Sequence, residues 1–362
     1  MRSSRTVLIA VAVAIAAPSV LAYRFALEYR RRAGFPARRP LLETPATYDL
    51  PFEALSVPSA TGPLPAWFVP APGGGRAPAV VLVHGWESNR ARMLPNARFL
   101  HAAGFATLMF DVRGHGENPP ETLPISAAEF GADARAAVEL VATRPDVTSV
   151  GVLGHSMGAI GAAIAAADDP RVAALVTTSA PSDPRTLTRR TFQLAGLRLP
   201  DAVAHPLAAL TTRVYLHPRG HAPSAASASA AIARYAGPVL VIHGALDEIV
   251  AAGDAHRLAR AARRVPGREL ELMIMPDGRH RWLFEDPAYR GRIAAFLARH
   301  LAGAADPELA ASRAIATQVV RQADTNGAFS ALEPPAVARA SVSTEPSLSA
   351  ATSISTGPGG QA

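Results

Sequence analysis

Residues 154–158 read Gly-His-Ser-Met-Gly and stand between an apolar run that ends at Leu153 and an alanine-rich stretch at 159–167. A strand that turns sharply into a helix needs small residues on both sides, because the backbone passes close to itself there. The free N–H groups at the start of the helix would face Ser156 and stabilise negative charge on a substrate oxygen. The pattern predicts a nucleophilic serine at a strand-to-helix turn.

Apolar runs and helical stretches alternate along the chain after the turn at 72–75. The runs lack polar alternation, which is typical of strands in a parallel sheet with helices on both faces. We expect strands at 79–83, 106–110, 147–153, 172–177, 239–242 and 270–275, a hairpin-like pair at 48–57 and 64–69, and helices near 92–103, 126–143, 157–167, 253–264 and 287–301. The sequence predicts an α/β fold with a doubly wound, mostly parallel sheet.

Composition excludes several kinds of chemistry. The 362 residues include no cysteine, which excludes disulfides, thiol catalysis and cysteine-bound metals. All 36 basic residues are arginine, so a lysine Schiff base is excluded as well. Residues 1–39 hold eight arginines against Glu28 and account for the whole net charge of +7. Because the remainder is neutral, we expect no nucleic-acid partner.

An apolar segment with arginines on both sides opens the chain. It runs from Val7 to Tyr23, and Phe25 to Leu27 extend it if the Arg24 side chain reaches the interface. Residues 1–32 therefore predict a single-pass membrane anchor and a membrane partner. The alternatives are a cleaved signal peptide with secretion and a buried helix of the globular domain. More arginines follow the segment than precede it, which favours a cytoplasmic catalytic domain.

The rest of the chain divides by composition. We expect a linker at 33–47, an α/β domain at 48–303, and a low-complexity, disordered tail at 304–362 apart from a helix at 307–323. Residues 181–237 break the alternation and are expected to form a helical lid above the serine. The lid holds seven arginines against two aspartates. We expect it to select substrates, with Arg189 and Arg190 either favouring anionic groups or solvating the lid.

A catalytic serine needs a histidine to take its proton and an acid to orient that histidine. Both must follow strands at the edge of the sheet that carries Ser156. His280 follows the last predicted strand, and Asp247 follows the one before it, with Glu248, Asp254 and Asp277 as competing acids. The glycine-containing loop 84–86 after the first of the six strands offers a second backbone donor for an oxyanion.

At this point the chain resembles the α/β-hydrolase family, over residues about 48–302. The matching pieces are His-Gly-Trp at 84–86, Asp-Val-Arg-Gly-His-Gly at 111–116, Gly-His-Ser-Met-Gly at 154–158, His-Gly-Ala-Leu-Asp at 243–247 and the late His280. The resemblance implies an α/β-hydrolase fold with a helical lid. It also implies that Ser156 is the nucleophile, Asp247 the acid and His280 the base, and that the N–H groups of Trp86 and Met157 form the oxyanion hole.

The expected function is hydrolysis of small-molecule carboxylic esters through an acyl-enzyme, without cofactor or metal. Two alternatives stay open: a serine peptidase of the aminopeptidase or prolyl type, and a membrane-tethered, inactive hydrolase-like binding protein. We expect the histidines at 84, 115, 155 and 243 to hold loops, because no metal-ligand spacing occurs among them. Asp111 and Arg113 are expected to form a structural pair.

Overall fold

Eight strands form a single sheet in the computed structural model, which describes residues 2–318, with side chains from Ala16 onward. The strands are β1 (Glu53–Ser59), β2 (Gly62–Val69), β3 (Ala77–Val83), β4 (Ala106–Phe110), β5 (Val147–His155), β6 (Val172–Thr178), β7 (Val239–Gly244) and β8 (Leu270–Met275). Their order is β1-β2-β4-β3-β5-β6-β7-β8. β2 is antiparallel to both neighbours and the other pairs are parallel, which confirms the predicted fold class.

Helices cover both faces of the sheet. They are α1 (Arg2–Ala33), α2 (Leu94–Ala102), α3 (Ala127–Ala142), α4 (Met157–Asp168), α5 (Pro184–Leu194), α6 (Asp201–Leu216), α7 (Ala228–Arg234), α8 (Gly253–Ala262), α9 (Pro287–His300) and α10 (Pro307–Ala316). Successive β3 residues alternate between two cores: Val81 packs with Phe130 of α3, and Leu82 packs with Phe99 of α2 and Phe296 of α9. A strand buried on both faces has no polar side, which explains the continuous apolar runs of the sequence.

Local signals fix the helix ends near the site. Oγ of Ser126 accepts the N–H of Ala128, and the carboxylate of Glu129 accepts the N–H of Ser126, so α3 begins with a capping box. Asp286 caps α9 in the same manner by accepting the N–H of Ala288. These caps satisfy backbone donors at points where the chain leaves the sheet edge.

The lid is helical and lies between β6 and β7. Helices α5, α6 and α7 occupy the predicted insertion. Thr188 of α5 and Thr212 of α6 are both buried, and their hydroxyl oxygens are 3.0 Å apart. The two helices therefore pack directly against each other rather than forming separate excursions.

The prediction of a membrane anchor is wrong. Among the described residues, no helix is both long and apolar enough to cross a membrane. The side chains of residues 1–15 lie outside the described part, but the second half of α1 packs on the lid. Ala26 is fully buried, and the rings of Phe25 and Tyr29 lie 5.4 and 5.8 Å from that of Phe192 in α5. Phe25 and Ala26, which were expected to extend the lipid-facing segment, contact protein instead. The predictions of a membrane partner and a cytoplasm-facing orientation lose their basis with the anchor.

Helix α10 packs on the domain beyond the predicted domain limit at 303. The guanidinium of the buried Arg290 in α9 donates to the carbonyl oxygens of Ala314 (3.1 Å) and Ile315 (3.0 Å), and Ala310 is fully buried. The expected helix at 307–323 thus ends at Ala316. The predicted disorder of the tail beyond residue 318 lies outside the described residues.

Candidate active site

Ser156 sits at the turn between the central strand β5 and α4, in a conformation that side chains rarely adopt. Its φ is +54° and its ψ is −120°. The turn is held by the Ser156 N–H, which donates to the carbonyl oxygen of Thr178 in β6 (2.9 Å). A Cβ on Gly154 would overlap Gly158, and a Cβ on Gly158 would overlap the carbonyls of Val83 and His84. The glycines are therefore required by close packing, and strain at this position is typical of a functional site.

Ser156, His280 and Asp247 form a continuous hydrogen-bonded chain. Nε2 of His280 lies 3.1 Å from Oγ of Ser156, and Nδ1 of the same ring lies 2.9 Å from Oδ2 of Asp247. The serine follows β5, Asp247 follows β7 and His280 follows β8, all at the carboxyl edge of the sheet. The arrangement can remove a proton from the serine hydroxyl and stabilise the resulting imidazolium.

The carboxylate of Asp247 is held ionised. Burial alone would raise its pKa, but the positive charge of His280 and hydrogen bonds from His243 and His280 lower it well below the usual range. Its other oxygen accepts the backbone N–H groups of Ile249 (2.9 Å) and Val250 (2.7 Å). These bonds fix the carboxylate so that one oxygen serves the loop and the other faces the imidazole.

His243 and His155 flank the triad in different roles. Burial opposes protonation of His243, but its hydrogen bond with Asp247 and that carboxylate's charge outweigh burial and raise its pKa. His155 has its ring centroid 5.1 Å from that of His280. Burial and the charge of His280 lower the pKa of His155 well below its ordinary value, so it stays neutral and does not compete as a base.

The two predicted oxyanion donors lie beside the serine, one at the start of α4 and the other in the loop after β3. Met157 is the first residue of α4, so its N–H has no acceptor within the helix. Trp86 follows Gly85 in the loop after β3, and a Cβ on Gly85 would lie 3.3 Å from that of Ser156. His84 holds this loop: Nδ1 lies 2.8 Å from the carbonyl oxygen of Gly85, and Nε2 accepts the N–H of Val112 (3.0 Å).

The competing acids contact other groups. Asp254 accepts the N–H and hydroxyl of Ser182, Asp277 is exposed, and Glu248 lies 3.9 Å from Arg279. Among the described residues, Asp247 is the carboxylate that bonds to His280.

The expected pairing of Asp111 with Arg113 is wrong, because each has a different partner. Asp111 pairs with Arg90, and Arg113 pairs with Asp133 across to α3. In the described part of the chain, no group of three or more histidine, aspartate or glutamate side chains is arranged to hold a metal ion.

A cavity of about 210 Å³ opens onto Ser156 and His280. Its lid wall comes from α5 and α6, and the surface of the cavity as a whole is mainly apolar. Two contributors were missed by sequence reasoning: Tyr29 and Ala33, at the end of α1, also line it. In the sequence, residues 25, 26 and 29 are apolar or aromatic and share one face of a helix. Such a face indicates burial in a protein core as readily as contact with a membrane.

The lid arginines at 189 and 190 do not line this cavity. Arg189 pairs with Asp201 and His205 on the lid. Arg190 donates to the carbonyl oxygens of Glu248 and, at 3.2 Å, Ile249, in the loop that carries the catalytic acid candidate.

Comparison with known proteins agrees with this geometry. Residues 75–213 match the family model described as serine aminopeptidase, S33. An uncharacterized protein of Mycobacterium tuberculosis is 31% identical over 303 residues, which cover 79% of this chain and 97% of that protein. The chain belongs to the α/β-hydrolase family. This hydrolase also shares its fold with an esterase of Pyrococcus furiosus, with a TM-score of 0.59, 21% identity and coverage of 74% of this chain and 97% of that one.

A further relative of the hydrolase has a named activity. The 2,6-dihydropseudooxynicotine hydrolase of Paenarthrobacter nicotinovorans is 28% identical over 254 residues, which cover 67% of this chain and 61% of that protein. The chain is thus a serine hydrolase of the α/β-hydrolase superfamily, among relatives and neighbours that include esterases and peptidases.

Proposed function

We propose that this hydrolase cleaves carboxylic esters of small molecules through a covalent acyl-enzyme. Oγ of Ser156 attacks the ester carbonyl carbon while Nε2 of His280 takes the serine proton. The oxyanion that forms accepts hydrogen bonds from the N–H groups of Trp86 and Met157. The imidazolium then gives its proton to the leaving alkoxide, and water activated by His280 releases the acid and restores the serine.

The observation that carries the proposal is the unbroken chain of contacts from Ser156 through His280 to Asp247, at a strained strand-to-helix turn. A hydrolase-like binding protein would have no need to hold Asp247 ionised against its burial. The strained serine and the preserved acid together favour an enzyme over an inactive scaffold.

Charge in the cavity favours esters over aminopeptidase substrates, the alternative that the family description suggests. An aminopeptidase must bind a free ammonium group, for which a carboxylate is the natural partner. The only carboxylate among the residues lining the described cavity is Glu87, which accepts the N–H of Ala37 (3.3 Å) and lies 3.8 Å from Arg39. Arg92 and Arg281 also line the cavity, and a guanidinium has no acceptor for an ammonium group.

A fluorophosphonate probe tests the nucleophile. We expect one labelled site in the wild type and none in Ser156→Ala, because the triad makes one hydroxyl far more reactive than the others. Ser149→Ala is the matched control: it lies in β5 at the end away from the site, where its hydroxyl donates to Ala302, and should label normally. Labelling that persists in Ser156→Ala contradicts the assignment.

Turnover of paired substrates tests the bond that is cleaved. We expect p-nitrophenyl esters to be hydrolysed with a far higher kcat/KM than aminoacyl p-nitroanilides with a free amino group. A preference for the anilides would overturn the ester proposal in favour of the aminopeptidase.

A further inference from the structure

Helix α1 is built into the active-site cavity. Arg30 donates to the carbonyl oxygen of Val214 at the end of α6 (3.1 Å). The hydroxyl oxygen of Tyr215 lies within hydrogen-bonding distance of the carbonyl oxygens of Ala33 (3.0 Å) and Ile125 (2.5 Å). The C-terminal end of α1 is thus tied both to the lid and to the loop before α3. Because Tyr29 and Ala33 line the cavity at this junction, α1 forms part of the substrate-facing surface.

Besides the Tyr215 hydroxyl, which bonds to backbone carbonyls, four hydroxyl groups lie where α1, α5 and α6 line the cavity. They belong to Tyr29, Thr188, Thr191 and Thr212, which we call the acceptor patch. The hydroxyl oxygens of Tyr29 and Thr191 are 2.9 Å apart, and those of Thr188 and Thr212 are 3.0 Å apart. Apart from these hydroxyls, the lid wall is mainly apolar, so the acceptor patch is where that wall can recognise a polar group.

The hydrogens of the acceptor patch are already committed, which determines its polarity. A hydroxyl carries one hydrogen. Thr191 donates to the carbonyl oxygen of Thr188 (2.7 Å), and Thr188 donates to that of Pro184 (2.8 Å). Tyr29 must then donate to Thr191, and Thr212 must donate to Thr188. Burial also raises the pKa of Tyr29, so its hydroxyl stays protonated at neutral pH.

The groups that remain available to a ligand are therefore oxygen lone pairs, chiefly those of Tyr29 and Thr212. Lone pairs accept hydrogen bonds, so the patch suits a hydroxyl or an amide N–H and does not suit a carbonyl or a carboxylate. A substrate that covers these lone pairs with hydrocarbon alone leaves them without a hydrogen bond, which costs binding free energy.

We propose that the acceptor patch selects esters whose otherwise apolar acyl chain carries a hydrogen-bond donor, such as a hydroxyl, where the chain meets the lid wall. This inference rests on the proposed ester hydrolysis and names its substrate class. It assigns α1 a role in specificity, through Tyr29, that is separate from the chemistry at Ser156.

The test compares straight-chain p-nitrophenyl esters of increasing length, each paired with its terminally hydroxylated counterpart. We expect the kcat/KM ratio of hydroxylated to plain ester to peak at one chain length in the wild type. In the double variant Tyr29→Phe/Thr212→Val, that peak ratio should fall roughly tenfold, as expected for a lost hydrogen bond. The kcat/KM of the plain ester is measured in both proteins, so that the ratio isolates the contribution of the substrate hydroxyl from any general change in the cavity.

The matched control is Thr211→Val, the same substitution one residue earlier in α6. Thr211 is also buried but does not line the cavity. The kcat/KM ratio of hydroxylated to plain ester should therefore be the same in Thr211→Val as in the wild type. Thermal unfolding of both variants reports any structural loss, and Tyr29→Phe alone provides a milder variant if the double variant unfolds.

The outcomes separate the two proposals. If plain esters are hydrolysed and Ser156 is labelled, but the ratio is the same in wild type and variant, the patch has only a structural role and this inference is overturned. If neither ester is hydrolysed and Ser156 is not labelled, the proposed function fails and this inference fails with it.

Discussion

Replacement of Asp247 by asparagine tests the proposed chemistry directly, because the loop fixes which way the amide must face. Oδ1 of Asp247 accepts the N–H groups of Ile249 (2.9 Å) and Val250 (2.7 Å). An asparagine NH₂ at that position would face two donors. The amide oxygen therefore occupies the position of Oδ1, and the NH₂ group turns toward Nδ1 of His280.

That orientation reverses the polarity of the imidazole. Nδ1 of His280 must now accept a hydrogen bond, so its proton moves to Nε2, the atom 3.1 Å from Oγ of Ser156. A protonated Nε2 cannot take the serine proton. We expect kcat to fall roughly 10⁴-fold, as for the same tautomer change in a comparable triad, which is about 5 kcal/mol of activation free energy.

The assay is hydrolysis of a p-nitrophenyl ester by wild type, Asp247→Asn and the control Asp277→Asn. Asp277 precedes His280 in the same loop but is exposed, so the control should keep wild-type turnover. The unfolding midpoint of Asp247→Asn is measured alongside, because the backbone hydrogen bonds of the loop are retained while the interaction with His243 is lost. Turnover of Asp247→Asn within tenfold of wild type would refute the tautomer argument and with it the assignment of the acid.

Two further predictions concern a buried histidine and a lid arginine. Burial lowers the pKa of His84 to about 4. The unfolded chain therefore binds this proton more readily, and the free energy of unfolding should fall by about 2 kcal/mol between about pH 7 and pH 5 on its account. Urea denaturation at both pH values measures this change. In His84→Gln, the fall in the free energy of unfolding should be smaller by that amount, and an equal fall in the variant and the wild type would contradict the assignment to His84. Arg190→Gln should lower kcat several-fold by releasing the carbonyls of Glu248 and Ile249, whereas Arg189→Gln, the matched control on the lid, should not; equal rates in the two variants would exclude a positioning role for Arg190.

The sheet and the order of the site residues were predictable because burial leaves a direct mark on the sequence. The strands β4 and β8 have the predicted limits, and β5 was predicted to within two residues of its end. Parallel strands bring their carboxyl ends to one edge, so Ser156, Asp247 and His280 could be expected together from their places after three strands.

The role of α1 could not be predicted in the same way. Its apolar residues have the composition of a lipid-facing helix, and only tertiary contacts reveal that Phe25 and Tyr29 face Phe192 instead. The partners of Asp111 and Arg113 were missed for a related reason. Arg90 and Asp133 are distant in sequence, and nothing in the local pattern links them.

The strand order has a consequence for the protein during its synthesis. Ser156 and His280 are 124 residues apart, and His280 follows the edge strand β8, the last strand to leave the ribosome. The nascent chain therefore carries Ser156 without its proposed base until nearly the whole domain has emerged. Helix α1 is made first, yet it can dock only after α5 and α6 exist. Under the proposed assignment, a chain that terminates before β8 lacks its base, so truncated translation products should not hydrolyse esters.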